Sequence, residues 1–166
     1  MKDLENLTNT QVNKLIKDKK NPVEVLKFDE IYSELLSLLI PGIYKDNTII
    51  FDKDEDIEYI LHVFQSPLPD HFSIGIRFKS ISMTLIRFDF GSDLRHKNNY
   101  GQTDEYCVTG PHVHVYSSDL KHEPKNVTPL SAYSDFKNIN IIKEAFTKFL
   151  NYTNIKDLKP NKEDLL

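Results

Sequence analysis

One cysteine, Cys107, stands in a chain of 166 residues. No internal disulfide can form, and no C-x-x-C pair offers a redox or zinc site. Tryptophan is absent and there are five glycines. With so little glycine there is no Walker loop, no dinucleotide fingerprint and no G-x-S-x-G elbow. No apolar run approaches the roughly 20 residues that span a bilayer; the longest, "LLSLLI" at 35–40, is far too short. The N-terminal "MKDLENLTNT" carries acids and no apolar core, unlike a secretory signal. A cytoplasmic protein with no membrane partner is the expectation. Excess positive charge is missing too: 21 Lys and Arg face 25 Asp and Glu, for a net charge of −4. That argues against a protein held on nucleic acid by bulk electrostatics, but leaves room for a small local RNA site.

What is present reads as one globular domain over 1–166, with 39% hydrophobic and 28% charged residues. Thr8 and Gln11 have capping-box spacing, and Val12, Leu15 and Ile16 follow at helical period, so a helix over about 8–20 is expected. Residues 29–40 suit a helix or a buried strand starting near 35. From about 46 to 130 the period becomes two, in short runs such as "FSIGIRFK" and "ISMTLIRFDF", which describes an antiparallel meander. Residues 91–110 lack periodicity and read as a long loop of the functional kind. The clearest helix spans about 138–152, with Ile141/Ile142, Ala145/Phe146 and Phe149/Leu150 as its buried stripe. The expected fold is α+β: a single curved antiparallel sheet of about five or six strands, flanked by an N-terminal and a C-terminal helix.

The chemistry concentrates in "HVHVY". Residues two apart in a strand share a face, so His112, His114 and Tyr116 are expected together, with Val113 and Val115 toward the core. Imidazole serves as base, acid or metal ligand near neutral pH. The strand ending "IRFDF" puts Arg87 and Asp89 on one face, and "RHKNNYG" adds His96. If these strands are neighbours, a cation, two or three histidines and a tyrosine converge on a plausible phosphate site. Arg87 has two acidic candidates, Asp89 and Asp93. Asn98, Asn99 and Gly101 suit turn geometry. His62 reads as packed, Cys107 as a buried or incidental thiol, and the lone Gly75 as a bulge or close packing.

These residues resemble a family of small proteins from bacteria, phages and mobile elements. Its pattern is an arginine-bearing strand, then H-x-N-P-D-G, then H-x-H-x-Y, a segment ending Pro-Leu and an aromatic-rich helix. Here the pattern falls on Arg87, "HKNNYG" (His96, Asn98, Gly101), "HVHVY" and "VTPLS", over roughly 81–155. Asn99 and Tyr100 stand where the pattern has Pro and Asp. A catalytic role of that Asp would have to pass to Asp89 or Asp104. The resemblance implies a genomic setting among toxin–antitoxin or defence genes.

Three functions fit. The first is a metal-independent endoribonuclease of toxin type, needing no cofactor. His112 and His114 would be base and acid, Arg87 the phosphate clamp, and Tyr116 and His96 supporting groups; RNA and a cognate antitoxin would be the partners. The second is a non-catalytic protein that binds and inhibits a host defence protein. The third is a small metal-binding hydrolase with His112, His114 and His96 as ligands. A cupin-like H-x-H-x4-acid spacing to Asp119 favours the third, although Tyr106 replaces the expected glycine.

Overall fold

Thr8 starts the first helix as its spacing predicts. Its hydroxyl accepts from the Gln11 amide while the Gln11 side chain accepts from the Thr8 amide. Such a cap stabilises a helix by about 1 kcal/mol. The computed structural model describes residues 2–37, 42–118 and 126–157. Helix α1 covers Asn9–Lys17 and buries Val12, Leu15 and Ile16. It stops short of residue 20 because Asp18 turns extended and Lys20 folds inward. A two-residue strand β1 (Asn21–Pro22) leads into helix α2 (Val25–Ser37), which resolves the ambiguity at 29–37 as helix. Residues 38–40 of that stretch lie outside the described residues.

Seven further strands follow: β2 (Tyr44–Asp52), β3 (Ile57–Gln65), β4 (Phe72–Phe78), β5 (Thr84–Phe90), β6 (Arg95–Asn98), β7 (Tyr106–Thr109) and β8 (His112–Val115). Strand β9 (Thr128–Pro129), two short 3-10 turns and helix α3 (Ile142–Tyr152) complete the described chain. The main sheet is antiparallel and open, in the order β1-β2-β3-β4-β5-β8-β9. The α+β expectation holds, with seven strands in place of five or six. The long loop expected at 91–110 contains a hairpin, β6 paired with β7. Its strands are only four residues long, one of them polar and charged, so they carry too little alternation to stand out. The last helix begins at Ile142 and not near 138, because Asn138 takes a φ of 63° that breaks the turn before it.

The buried side chains of all three helices join the inner face of the sheet in one apolar cluster. Phe88 on β5 is its anchor. Its ring stacks on Phe136 at 4.2 Å and meets Phe149 and Tyr152 edge-on at 5.7 and 5.9 Å. Because side chains alternate, pinning Phe88 inward fixes Arg87 and Asp89 outward. A bulge interrupts the β4–β5 register next to Ile76 and Arg77, where Ile86 and Thr84 are their partners and Leu85 is the extra residue.

Candidate functional site

The register across β5 and β8 decides which side chains meet. Arg87 pairs with His114, and Asp89 with His112. All four leave the outer face of the sheet, opposite the helices. Arg87 grips Asp89 through Nε to Oδ1 at 2.9 Å and a terminal nitrogen to Oδ2 at 3.0 Å. His114 Nε2 lies 3.0 Å from the same Oδ2 and 3.0 Å from the Arg87 guanidinium. A carboxylate only accepts, so Nε2–H donates to Asp89. His114 Nδ1 is then left buried with no hydrogen-bond partner among the described residues. His112 Nδ1 lies 2.9 Å from the Gly110 carbonyl, which fixes a hydrogen there, and its Nε2 is 3.5 Å from Asp89 Oδ2.

The electrostatics follow from this geometry. Burial alone would raise the Asp89 pKa, but bonds from His112, His114 and Arg87 outweigh it and hold the carboxyl well below the usual range. For His112, burial disfavours the charged form, yet the Asp89 and Gly110 contacts prevail and its pKa is raised above 6.5. Asp89 therefore stays ionised, and His112 keeps its proton further into neutral pH than an isolated imidazole.

The hairpin brings the third histidine. The His96 ring centroid lies 5.7 Å from His112 and 5.5 Å from His114, and those two are 5.2 Å apart. One ring nitrogen from each of the three falls within 4.8 Å of the others. His96 is partly exposed, whereas His112 and His114 are buried. Asn98 locks the hairpin in place. Its amide donates to the Val127 carbonyl at 2.8 Å and accepts from the Val127 N–H at 2.8 Å. Asn99 and Gly101 turn the hairpin with φ of 53° and 78°. Proline, fixed near −65°, would not fit at 99.

Five of the sequence-predicted positions therefore meet or nearly meet: Arg87, Asp89, His96, His112 and His114. Tyr116 does not, and this corrects the expectation of a shared face. Strand β8 ends at Val115, where its partner reaches the Leu85 bulge, and the Tyr116 N–H bonds to the Leu85 carbonyl. The ring turns into the core against Phe78. Its hydroxyl donates to the Leu4 carbonyl at 2.7 Å and accepts from the Leu7 N–H at 3.3 Å. Tyr116 ties down the N-terminal segment. Asp93 pairs with His71 at 2.7 Å and not with Arg87, and Asp104 serves the hairpin turn through Asn99. Cys107 is exposed, where a buried thiol had been one expectation. Asp119 and His122 lie outside the described residues.

His62 was missed. It faces Gly75, which faces Arg87, in one row across three strands. A Cβ on Gly75 would stand 2.8 Å from both the His62 ring and Arg87 Cγ. Gly75 is thus the gap in which those two side chains meet. Burial lowers the His62 pKa to about 4, with Arg77, Arg87 and Lys45 adding to the effect, so the ring is neutral near pH 7. The alternation in "ILHVF" does put His62 on the outer face, but only the register brings it to Arg87.

Fold and site together define an open-sheet α+β protein with a buried Asp–His–Arg cluster capped by a histidine-bearing hairpin. Residues 7–155 match a family of unknown function (DUF6978), and the chain belongs to that family. Neither the curated proteins nor the solved structures provide a match. No helix among the described residues is long and apolar enough to cross a membrane.

Proposed function

We propose that the chain is a metal-independent endoribonuclease that cleaves RNA by attack of the ribose 2′-hydroxyl on the adjacent phosphate. The observation that carries this reading is the Asp89 carboxylate shared by Arg87, His112 and His114 beside His96. His112, whose pKa the Asp89 contact raises against its burial, is the proton donor to the departing 5′-oxygen. His96, the most exposed of the three rings, takes the 2′-hydroxyl proton. The O2′–P bond forms as the P–O5′ bond breaks, leaving a 2′,3′-cyclic phosphate and a 5′-hydroxyl. Arg87 and His112 bring N–H donors beside the reacting phosphate, which favours the phosphorane dianion. His114, bonded to Asp89 and with its second nitrogen buried, is a positioning residue. Tyr116 has no part, because its hydroxyl is spent on Leu4 and Leu7. The toxin setting and a cognate antitoxin rest on the family pattern alone.

A second reading is a metal centre on His96, His112 and His114, favoured by their grouped nitrogens and by His114 Nδ1, which has no partner among the described residues. One feature weighs against it: the Arg87 guanidinium, 3.0 Å from His114 Nε2, would repel a dication. The test is the product of RNA cleavage by the purified chain in EDTA. Cyclic phosphate ends that vanish in His112→Ala support the first reading. Cleavage that stops in EDTA and leaves 5′-phosphate ends supports the second.

A further inference from the structure

The outer face of the sheet continues beyond the catalytic cluster, and its register draws a track. One row runs Lys45, Phe64, Ser73, Asp89, His112 from β2 to β8. The next runs Asn47, His62, Gly75, Arg87, His114. Arg77 sits on β4 one step further, opposite Ile60. With strands about 4.8 Å apart, Phe64 lies roughly 10 Å from Asp89 and 14 Å from His112. That is a reach of a few nucleotides from the reacting phosphate.

The side chains on this track have the character of a single-strand binder. Phe64 is 38% exposed near the end of β3, on the same face as Lys45 and Arg77. By register Lys45 and Arg77 flank the His62 row on its two sides, and Arg87 stands within it beyond Gly75. The acids on this face are engaged: Glu58 with Lys79 at 3.4 Å, and Asp89 with Arg87 and the histidines. Asp46, beside Lys45 in sequence, is held by Lys27 at 2.9 Å. No ion pair involves Lys45 or Arg77 among the described residues. A protein with net charge −4 thus keeps unpaired cations on the face that also carries its exposed phenylalanine.

We propose that this face, from β5 to β2, binds the single-stranded RNA flanking the cleaved bond. Phe64 stacks on an unpaired base, and Lys45 and Arg77 contact phosphates. The proposal rests on the endoribonuclease reading and extends it to a substrate class, unpaired RNA longer than the reacting dinucleotide. Stacking on an aromatic ring needs an unpaired base, whereas a paired duplex offers only its backbone.

The test is binding, separated from cleavage. The probe is a fluorescein-labelled oligouridylate of about eight nucleotides, fully 2′-O-methylated so that it cannot be cut. The full chain should bind it, and Phe64→Ala should weaken binding by about 5- to 150-fold. Phe64→Tyr, which keeps a ring, should restore it. Lys45→Gln/Arg77→Gln should weaken binding and flatten its dependence on salt by about 0.7 in the logarithmic slope per lost phosphate contact. Binding of wild type that is indifferent to Phe64→Ala, or equal affinity for the duplex, would overturn the proposal while leaving cleavage untouched. So would equal competition by polyglutamate, which would mark the face as a dock for an acidic protein. Absence of any binding would overturn it as well, and the RNA cleavage assay then judges the catalytic reading on its own.

Discussion

Lys20 and the Asp89 cluster both bury charge, and they do so differently. Lys20 is fully buried, and its ammonium donates to three carbonyls, those of Ile16, Asp18 and Thr153, at 3.0, 2.7 and 2.9 Å. Each ammonium hydrogen has an acceptor, and the acceptors close the ends of α1 and α3. This arrangement ties two helix ends together, and nothing in it is poised to react. The Asp89 carboxylate gathers Arg87, His112 and His114, the cluster leaves the buried His114 Nδ1 without a partner among the described residues, and it faces a hairpin instead of a helix. A buried charge with every bond made is structural. One with bonds left over, beside groups able to move protons, is a site.

The largest effect separating the two regions is on catalysis. His112→Ala should lower RNA cleavage by about 10²- to 10⁴-fold with the fold retained by circular dichroism. Lys20→Met should do the reverse. It should cost about 2–4 kcal/mol in urea unfolding, because three carbonyls lose their donor, with little change in turnover under folding conditions. Gly75→Ala comes next. The added methyl must displace the His62 ring or Arg87, so stability should fall by about 1–3 kcal/mol and cleavage should fall with it. Tyr116→Phe should cost only about 1 kcal/mol and leave the pH–rate profile in place, since its hydroxyl serves the N-terminal segment.

The subtlest contrast is in the pH dependence of stability. Folded His62 binds its proton less tightly than the unfolded chain, so between pH 6.5 and about 4 the unfolded state takes up more protons. Stability therefore falls as pH drops through that window. His112 has the opposite sign. Its contribution is complete below pH 6.5 and is lost as pH rises through its raised folded value. Asp89 adds stability above its unfolded value of roughly 4 that disappears toward stronger acid. Urea midpoints across pH should show His62→Gln flattening the arm from 6.5 to 4, and His112→Gln flattening the neutral arm.

Period-two alternation was enough to put Arg87, Asp89, His112 and His114 outward, because each alternates with a residue that must be buried: Phe88 or Val113. The same rule failed at Tyr116, since alternation means nothing once the strand has ended against a bulge. His62 and Gly75 were legible as outward-facing but not as neighbours of Arg87, because register between strands is a tertiary property. Hairpin β6–β7 stayed hidden for a related reason: His96, Asn98 and Val108 are its few inward residues, too few to set a period. The helix start at Ile142 turned on the backbone of Asn138, which hydrophobic spacing does not report.

The most direct trial uses a DNA oligonucleotide carrying a single ribonucleotide, incubated with the chain in EDTA. Cleavage only after that ribose, with a 2′,3′-cyclic phosphate end and loss of activity in His112→Ala, is the expected result. No cut at the ribose, or a cut that returns only when zinc or manganese is added, would contradict proton transfer at the Asp89 cluster as the source of activity.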